Sequence, residues 1–329
     1  MKIDFLTVLI AVVSLIILAV PGFILVKTKL LNNKAESAFS TLVLYGAQPV
    51  MVLMGFQGAK YNESIGLNVL IVAVISIIIH LLMAVILSIL VKGKNNEEKK
   101  RVVRYASMFS NCGFMGYPFL QIVFGGSQYI GEAMIYASVV VAVFNVLNWT
   151  LGVYLISGDK SNVSLKKIAT NPTIIAVVIG FILFFTVKVP FVELTIPGTK
   201  IHTVVAKFID SLDIIGDMVT PLSMTVIGMK LANANIKEIF FDGYGYLVCA
   251  FKLISMSLIT ILCVCFLPVS DLVKYVLVFL LSMPPATSTA LFTTLFGGDG
   301  KSATAFVLLA CMVSVITIPL MFLLFNVFL

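Results

Sequence analysis

Apolar residues run along the chain in ten stretches, separated by short clusters of charged and turn-forming residues. They cover approximately residues 4–26, 39–57, 65–91, 103–124, 132–156, 170–188, 205–231, 243–267, 273–296 and 302–328. Each is near the roughly 20 residues that a helix needs to cross a bilayer. The pattern predicts an all-α integral membrane protein of about ten transmembrane helices. Two of these spans carry sequences that an unbroken helix does not tolerate. In the fourth, Asn111-Cys112-Gly113-Phe114-Met115-Gly116-Tyr117-Pro118-Phe119 contains a proline that lacks a donor and clashes with the carbonyl four residues earlier. Gly113 and Gly116 lower the cost of leaving helical dihedrals. In the ninth, Ser282-Met283-Pro284-Pro285-Ala286-Thr287-Ser288-Thr289 interrupts the run in the same way. The expectation is an unwound segment between two half-helices in each span, the first of them at Pro118. Freed backbone groups in hydrocarbon cost several kcal/mol each unless they line a cavity or meet protein partners. Paired broken helices therefore point to a binding site in a transporter.

The two halves repeat one order of features. Gln48-Pro49 and Gly55 of span 2 are echoed by Thr220-Pro221 and Gly228 of span 7, His80 of span 3 by Lys252 of span 8, and Pro118 by Pro285. The offsets of 172, 172 and 167 residues argue for duplication. With five spans per copy, the second copy enters the membrane from the opposite side, so the repeats are inverted. Residues 1–156 form the first repeat, 157–169 a cytoplasmic linker, and 170–329 the second repeat.

Composition narrows the function classes. Hydrophobic residues make up 60% of the chain and charged residues 11%, against about 25% charged in soluble domains. The net charge of +7 follows from basic cytoplasmic loops and calls for no nucleic-acid partner. Loops after the odd-numbered spans hold 15 of the 22 Lys and Arg, the opposite side 6. This places the loop Lys92–Arg104 in the cytoplasm and both termini outside, in the inner (plasma) membrane. The N-terminal apolar run is too long for a signal core and is taken as span 1, with a kink expected at Pro21-Gly22. Five cysteines all lie in spans without neighbouring His or carboxylates, so neither a disulfide framework nor a metal site is expected, and no cofactor.

The residues Asn111-x-Gly113-Phe114-x-Gly116-x-Pro118, the break at Met283-Pro284 followed by Gly297-Gly298-Asp299, and Pro221 resemble the auxin efflux carrier family. Its bacterial members include proteins described as malate or malonate permeases, and its plant members are the PIN auxin exporters. The resemblance implies ten helices in two inverted five-helix repeats, with spans 4 and 9 crossing at their prolines. It also implies a homodimer whose scaffold is spans 1, 2, 6 and 7, beside a mobile unit of spans 3–5 and 8–10 that works as an elevator. This chain departs from the plant carriers by lacking a long central loop, and by having Thr287, Ser288 and Thr289 where a second Asn is expected.

Candidate substrate-binding residues are Asn111, Gly113, Pro118, Pro284, Pro285, Thr287, Ser288 and Thr289. The Asn111 amide could donate to a ligand carboxylate or simply cap a half-helix. The prolines act indirectly, by exposing half-helix N-termini that carry a partial positive charge. The three hydroxyl residues could bind the same ligand or only pack helices. Lys252 is the single cation expected well inside a span, serving charge compensation or proton chemistry unless it snorkels. His80 could titrate near neutral pH or pack as a hydrogen-bonded histidine. Asn145 and Asn148 share a helical face and either line the crossing or link helices. Asp210, Asp213 and Asp217 mark one face of span 7, with Asp217 the deepest candidate for ion coupling.

These features point to a secondary transporter of a small organic anion, a mono- or dicarboxylate such as malate or an auxin-like aromatic acid, working by elevator-type alternating access in the lipid bilayer. An anion channel or ligand sensor is the alternative. An intramembrane enzyme is disfavoured, since no His-Glu-x-x-His motif or Gly-x-Ser-x-Gly elbow occurs.

Overall fold

A computed structural model describes residues 3–92, 95–296 and 298–329. Gly297, expected to close the second broken helix with Gly298, lies outside the described residues, as do Met1 and Lys2 at the N-terminus and Gly93 and Lys94 of the basic loop. The described residues form helices and no strand. The long elements are α1 (Phe5–Lys27), α2 (Lys34–Gly55), α3 (Glu63–Leu90), α4 (Glu97–Met108), α5 (Cys112–Phe124) and α6 (Ile130–Ser157). In the second half follow α7 (Pro172–Thr186), α8 (Lys200–Asn233), α9 (Gly243–Cys265), α10 (Asp271–Ser282), α11 (Ser288–Leu295) and α12 (Gly300–Phe328). Among the described residues seven helices, α1, α2, α3, α6, α8, α9 and α12, are each long and apolar enough to cross a membrane. Joined to the bent stretch Lys160–Ala169, α7 makes an eighth. The other four are the halves of two broken helices.

Local chemistry sets several helix ends. The Asn62 carboxamide accepts from Ile65 N at the start of α3, and Asn171 does the same for α7 ahead of Pro172, whose missing N–H costs nothing in a first turn. The loop expected from Lys92 to Arg104 is helical from Glu97 onward. Two glutamates favour that N-terminus, and Glu97 pairs with Arg101 and Arg104 one and two turns later.

In the packing, α1 lies along α8, while α2 rests against α7 and α8. The α1–α8 contact is backbone on backbone. A methyl added at Gly22 would stand 2.0 Å from the Thr225 carbonyl oxygen, and one at Gly228 would stand 1.9 Å from that of Ala19. Only glycine permits so close an approach. Helix α1 runs through Pro21 and Gly22 as one helix, and Gly22 serves packing against α8. Helix α3 packs on α6, and α9 packs on α10 and α12, enclosing the broken helices.

Candidate functional site at the helix crossing

Helix α4 stops at Met108 and α5 begins at Cys112; α10 stops at Ser282 and α11 begins at Ser288. The stretches between them meet as an antiparallel pair centred on Ser110 and Pro285. Asn111 N donates to the Pro284 carbonyl at 2.8 Å, and Ala286 N donates to the Phe109 carbonyl at 2.9 Å. Each break thus satisfies the other's freed backbone groups, as an apolar surrounding demands. Pro285 is tolerated because residues directly opposite at this kind of position exchange no ladder bond, so its absent N–H leaves nothing unpaired.

The crossing corrects one expectation. Pro118 is not in the unwound segment: Cys112–Gly116 form a π turn that continues into Tyr117–Phe124, with Pro118 in its first turn. The wider turn accommodates the ring. The carbonyl of Phe114, four residues before Pro118, is taken instead by the Ser223 hydroxyl of α8 at 2.9 Å. Pro285 therefore matches Ser110, 175 positions away, rather than Pro118. The same register aligns Ser107-Met108 with Ser282-Met283 and Asn111 with Ala286. The crossing is chemically one-sided, with a carboxamide from the first half alone.

Asn111 is 3% exposed, and its amide nitrogen has no partner among the described residues. Beside it Gly113 admits α2: a methyl there would stand 2.6 Å from the Gln48 amide nitrogen. Gln48 is itself buried, with its carbonyl oxygen unpartnered. Thr287 offers its backbone carbonyl to Lys230, and Ser288 lies against the Tyr105 phenol. Thr289 donates its hydroxyl to the Ala286 carbonyl at 2.6 Å, within the local turn.

Lys252 is fully buried and does not snorkel. It sits in a π turn of α9, where its ammonium donates to Ser110 Oγ at 2.5 Å and the Leu281 carbonyl at 2.9 Å. Ser110 belongs to the first break, and Leu281 to the C-terminal turn of α10. The cation therefore ties the first unwound stretch to the end of α10 and lies where a helix C-terminus carries partial negative charge. His80, also buried, bonds the Ser76 carbonyl of its own helix through Nδ1 at 2.7 Å, and its ring lies 5.9 Å from Phe109. Its Nε2 has no partner among the described residues.

A family model described as membrane transport protein matches the chain twice, over residues 7–166 and 159–322. The chain belongs to this family, that of the auxin efflux carriers. It is a multi-pass membrane protein. The transporter is 23% identical over 311 residues to a protein of Methanocaldococcus jannaschii named as an uncharacterized transporter, with 94% of this chain and 96% of that one covered. The two family matches meet at residues 159–166, inside the stretch 157–169 assigned as linker from sequence.

Elsewhere in the transporter the remaining candidates separate. Asn145 bonds the Val141 carbonyl of its own helix at 2.8 Å, and Asn148 accepts from the Tyr105 hydroxyl, so it links α6 to α4. Asp217 is exposed and accepts from Gln121 at 3.3 Å beside a cavity of about 250 Å³ that Asp213 and Tyr117 also line. It is away from the unwound segments. A second cavity, of about 320 Å³, is lined by Phe114, Thr287 and Ser288 among others. Its wall includes Lys230, whose side chain is 11% exposed, a second lysine largely inside the protein beside the fully buried Lys252. Lys230 looks in sequence like a loop lysine, because it falls in the last turn of its helix. Gln48 carries the signal that a span-borne amide beside a proline faces another break.

Proposed function

We propose that the transporter moves a small organic anion, a mono- or dicarboxylate, bound at the crossing of the broken helices. The observation that carries this reading is the buried, unpartnered amide of Asn111 at that crossing. An unpaired buried donor costs about 1–3 kcal/mol, a cost that a ligand carboxylate would remove. The N-termini of α5 and α11 both start there and add partial positive charge suited to an anion. The opposing C-terminal end of α10 already has a cation in Lys252, so its partial negative charge needs no metal cation to offset it. The reading is therefore sodium-independent transport.

In this reading the chain has ten spans, counting each broken helix once, arranged as two inverted repeats with both termini outside the plasma membrane. Helices α1, α2, α7 and α8 form the scaffold of a homodimer. Helices α3–α6 and α9–α12 form the unit that moves as an elevator past it. The close α1–α8 backbone contact supports assigning those two helices to one rigid body. The test is thermal stabilisation of the purified protein across a panel of carboxylates, with neutral and cationic solutes as controls. Stabilisation by carboxylates with sodium absent is expected; stabilisation confined to neutral or cationic solutes refutes the reading.

A further inference from the structure

Lys230 joins three elements that the elevator reading divides between two bodies: α8 and α2 of the scaffold, and the unwound stretch between α10 and α11 of the moving unit. From α8 its ammonium donates to the Thr287 carbonyl, in the unwound stretch between α10 and α11, at 3.3 Å. It also stands 3.6 Å from the Glu36 carboxylate of α2. Both contacts are long. A carboxylate in a tight pair with an ammonium sits at about 2.7–2.9 Å. A buried cation needs close compensation to offset its lost hydration. The ammonium is thus held, but not matched, at the edge of the cavity of about 320 Å³ whose walls also carry Ser37, Ser40, Thr41 and Ser288. Hydroxyl walls around an incompletely paired cation suit an oxyanion.

We propose that Lys230 is a carboxylate-binding residue, at which a substrate anion displaces Glu36 and the Thr287 carbonyl and so unties the crossing from α8. This rests on the organic-anion reading above. Under that reading the Lys230–Thr287 bond crosses the sliding boundary and must break in every cycle. At Thr287 a carboxylate replaces a neutral acceptor, which roughly doubles the strength of that bond at the ammonium, and the displaced Glu36, 27% exposed, turns to solvent; the loaded transporter breaks the tether while the empty one keeps it. Loading and movement are coupled through one side chain.

The test uses full-length protein in proteoliposomes, with malate as the probe, and measures half-saturation in exchange together with thermal stabilisation. Lys230→Gln is expected to raise the half-saturating malate concentration by about tenfold or more, the loss of one charge-assisted bond. Lys230→Arg is expected to stay close to wild type, and Glu36→Gln to lower the concentration by removing the competing carboxylate. Wild-type malate affinity in Lys230→Gln overturns the proposal. So does a Glu36→Gln variant that weakens malate, which would make the pair structural, and this arm decides the matter even where Lys230→Gln does not fold. If wild-type protein responds to no carboxylate while neutral or cationic solutes stabilise it, the organic-anion reading fails. If wild type binds malate and Lys230→Gln binds it equally, this inference alone fails.

Discussion

Replacing Asn111 with Leu separates a binding role from a structural one, because the two predict opposite signs. The side chain is 3% exposed and its amide nitrogen is unpartnered, while its backbone N–H holds the crossing through Pro284 and its carbonyl accepts from Met115 and Gly116 at the start of α5, whatever the side chain. Leu has the same branching and number of side-chain heavy atoms and no polar atoms, so the substitution removes an unsatisfied donor worth about 1–3 kcal/mol. The melting temperature at a fixed scan rate should therefore hold or rise. Transport should fall. A hydrogen bond to a charged carboxylate contributes about 1.5–3 kcal/mol, so half-saturation should weaken by about 10- to 150-fold. The assays are thermal melting of the purified protein and carboxylate uptake into proteoliposomes. A lowered melting temperature with transport retained would show that Asn111 is a capping or packing residue, and the reasoning would be wrong.

Three further outcomes follow from the geometry. Gly228→Ala puts a methyl 1.9 Å from the Ala19 carbonyl oxygen, and backbone cannot yield as a side chain does; destabilisation of about 1–3 kcal/mol or more is expected by thermal melting, and an unchanged protein would mean that α1 and α8 are not tightly joined. A cysteine replacing Asn95 should react with an impermeant reagent only after the cell membrane is opened, and labelling of intact cells would invert the orientation. Lys252→Met keeps the length of the side chain and removes a buried charge, so folding should survive while uptake falls through loss of the clamp to Ser110 and Leu281; uptake equal to wild type would show the clamp to be dispensable.

The spans were legible because hydrocarbon leaves so few options: apolar runs of the right length, charges between them, and prolines where helices must break. The half-repeat was legible from single features, but its register was not. Pro118 and Pro285 look equivalent in sequence, yet a π turn absorbs the first while the second sits in the unwound, extended stretch paired with Ser110. The dipeptide Ser-Met stands near the end of each half-helix, at 107–108 and 282–283, but it also occurs within helices at 223–224 and 255–256, so by itself it does not reveal the register. Asn111 was found because amides are rare in such runs. Lys230 and Glu36 were not, since a lysine in a last turn and a glutamate in a first turn read as ordinary interfacial charges until the tertiary fold brings them to one cavity.

The most direct test of the central claim is counterflow in proteoliposomes, with a labelled carboxylate outside, the unlabelled compound inside, and choline in place of sodium. The account predicts uptake that saturates, is accelerated by the internal carboxylate and is indifferent to the sodium replacement. Flux that does not saturate and shows no trans-stimulation would contradict it in favour of a channel, and loss of transport on removing sodium would contradict the role given to Lys252.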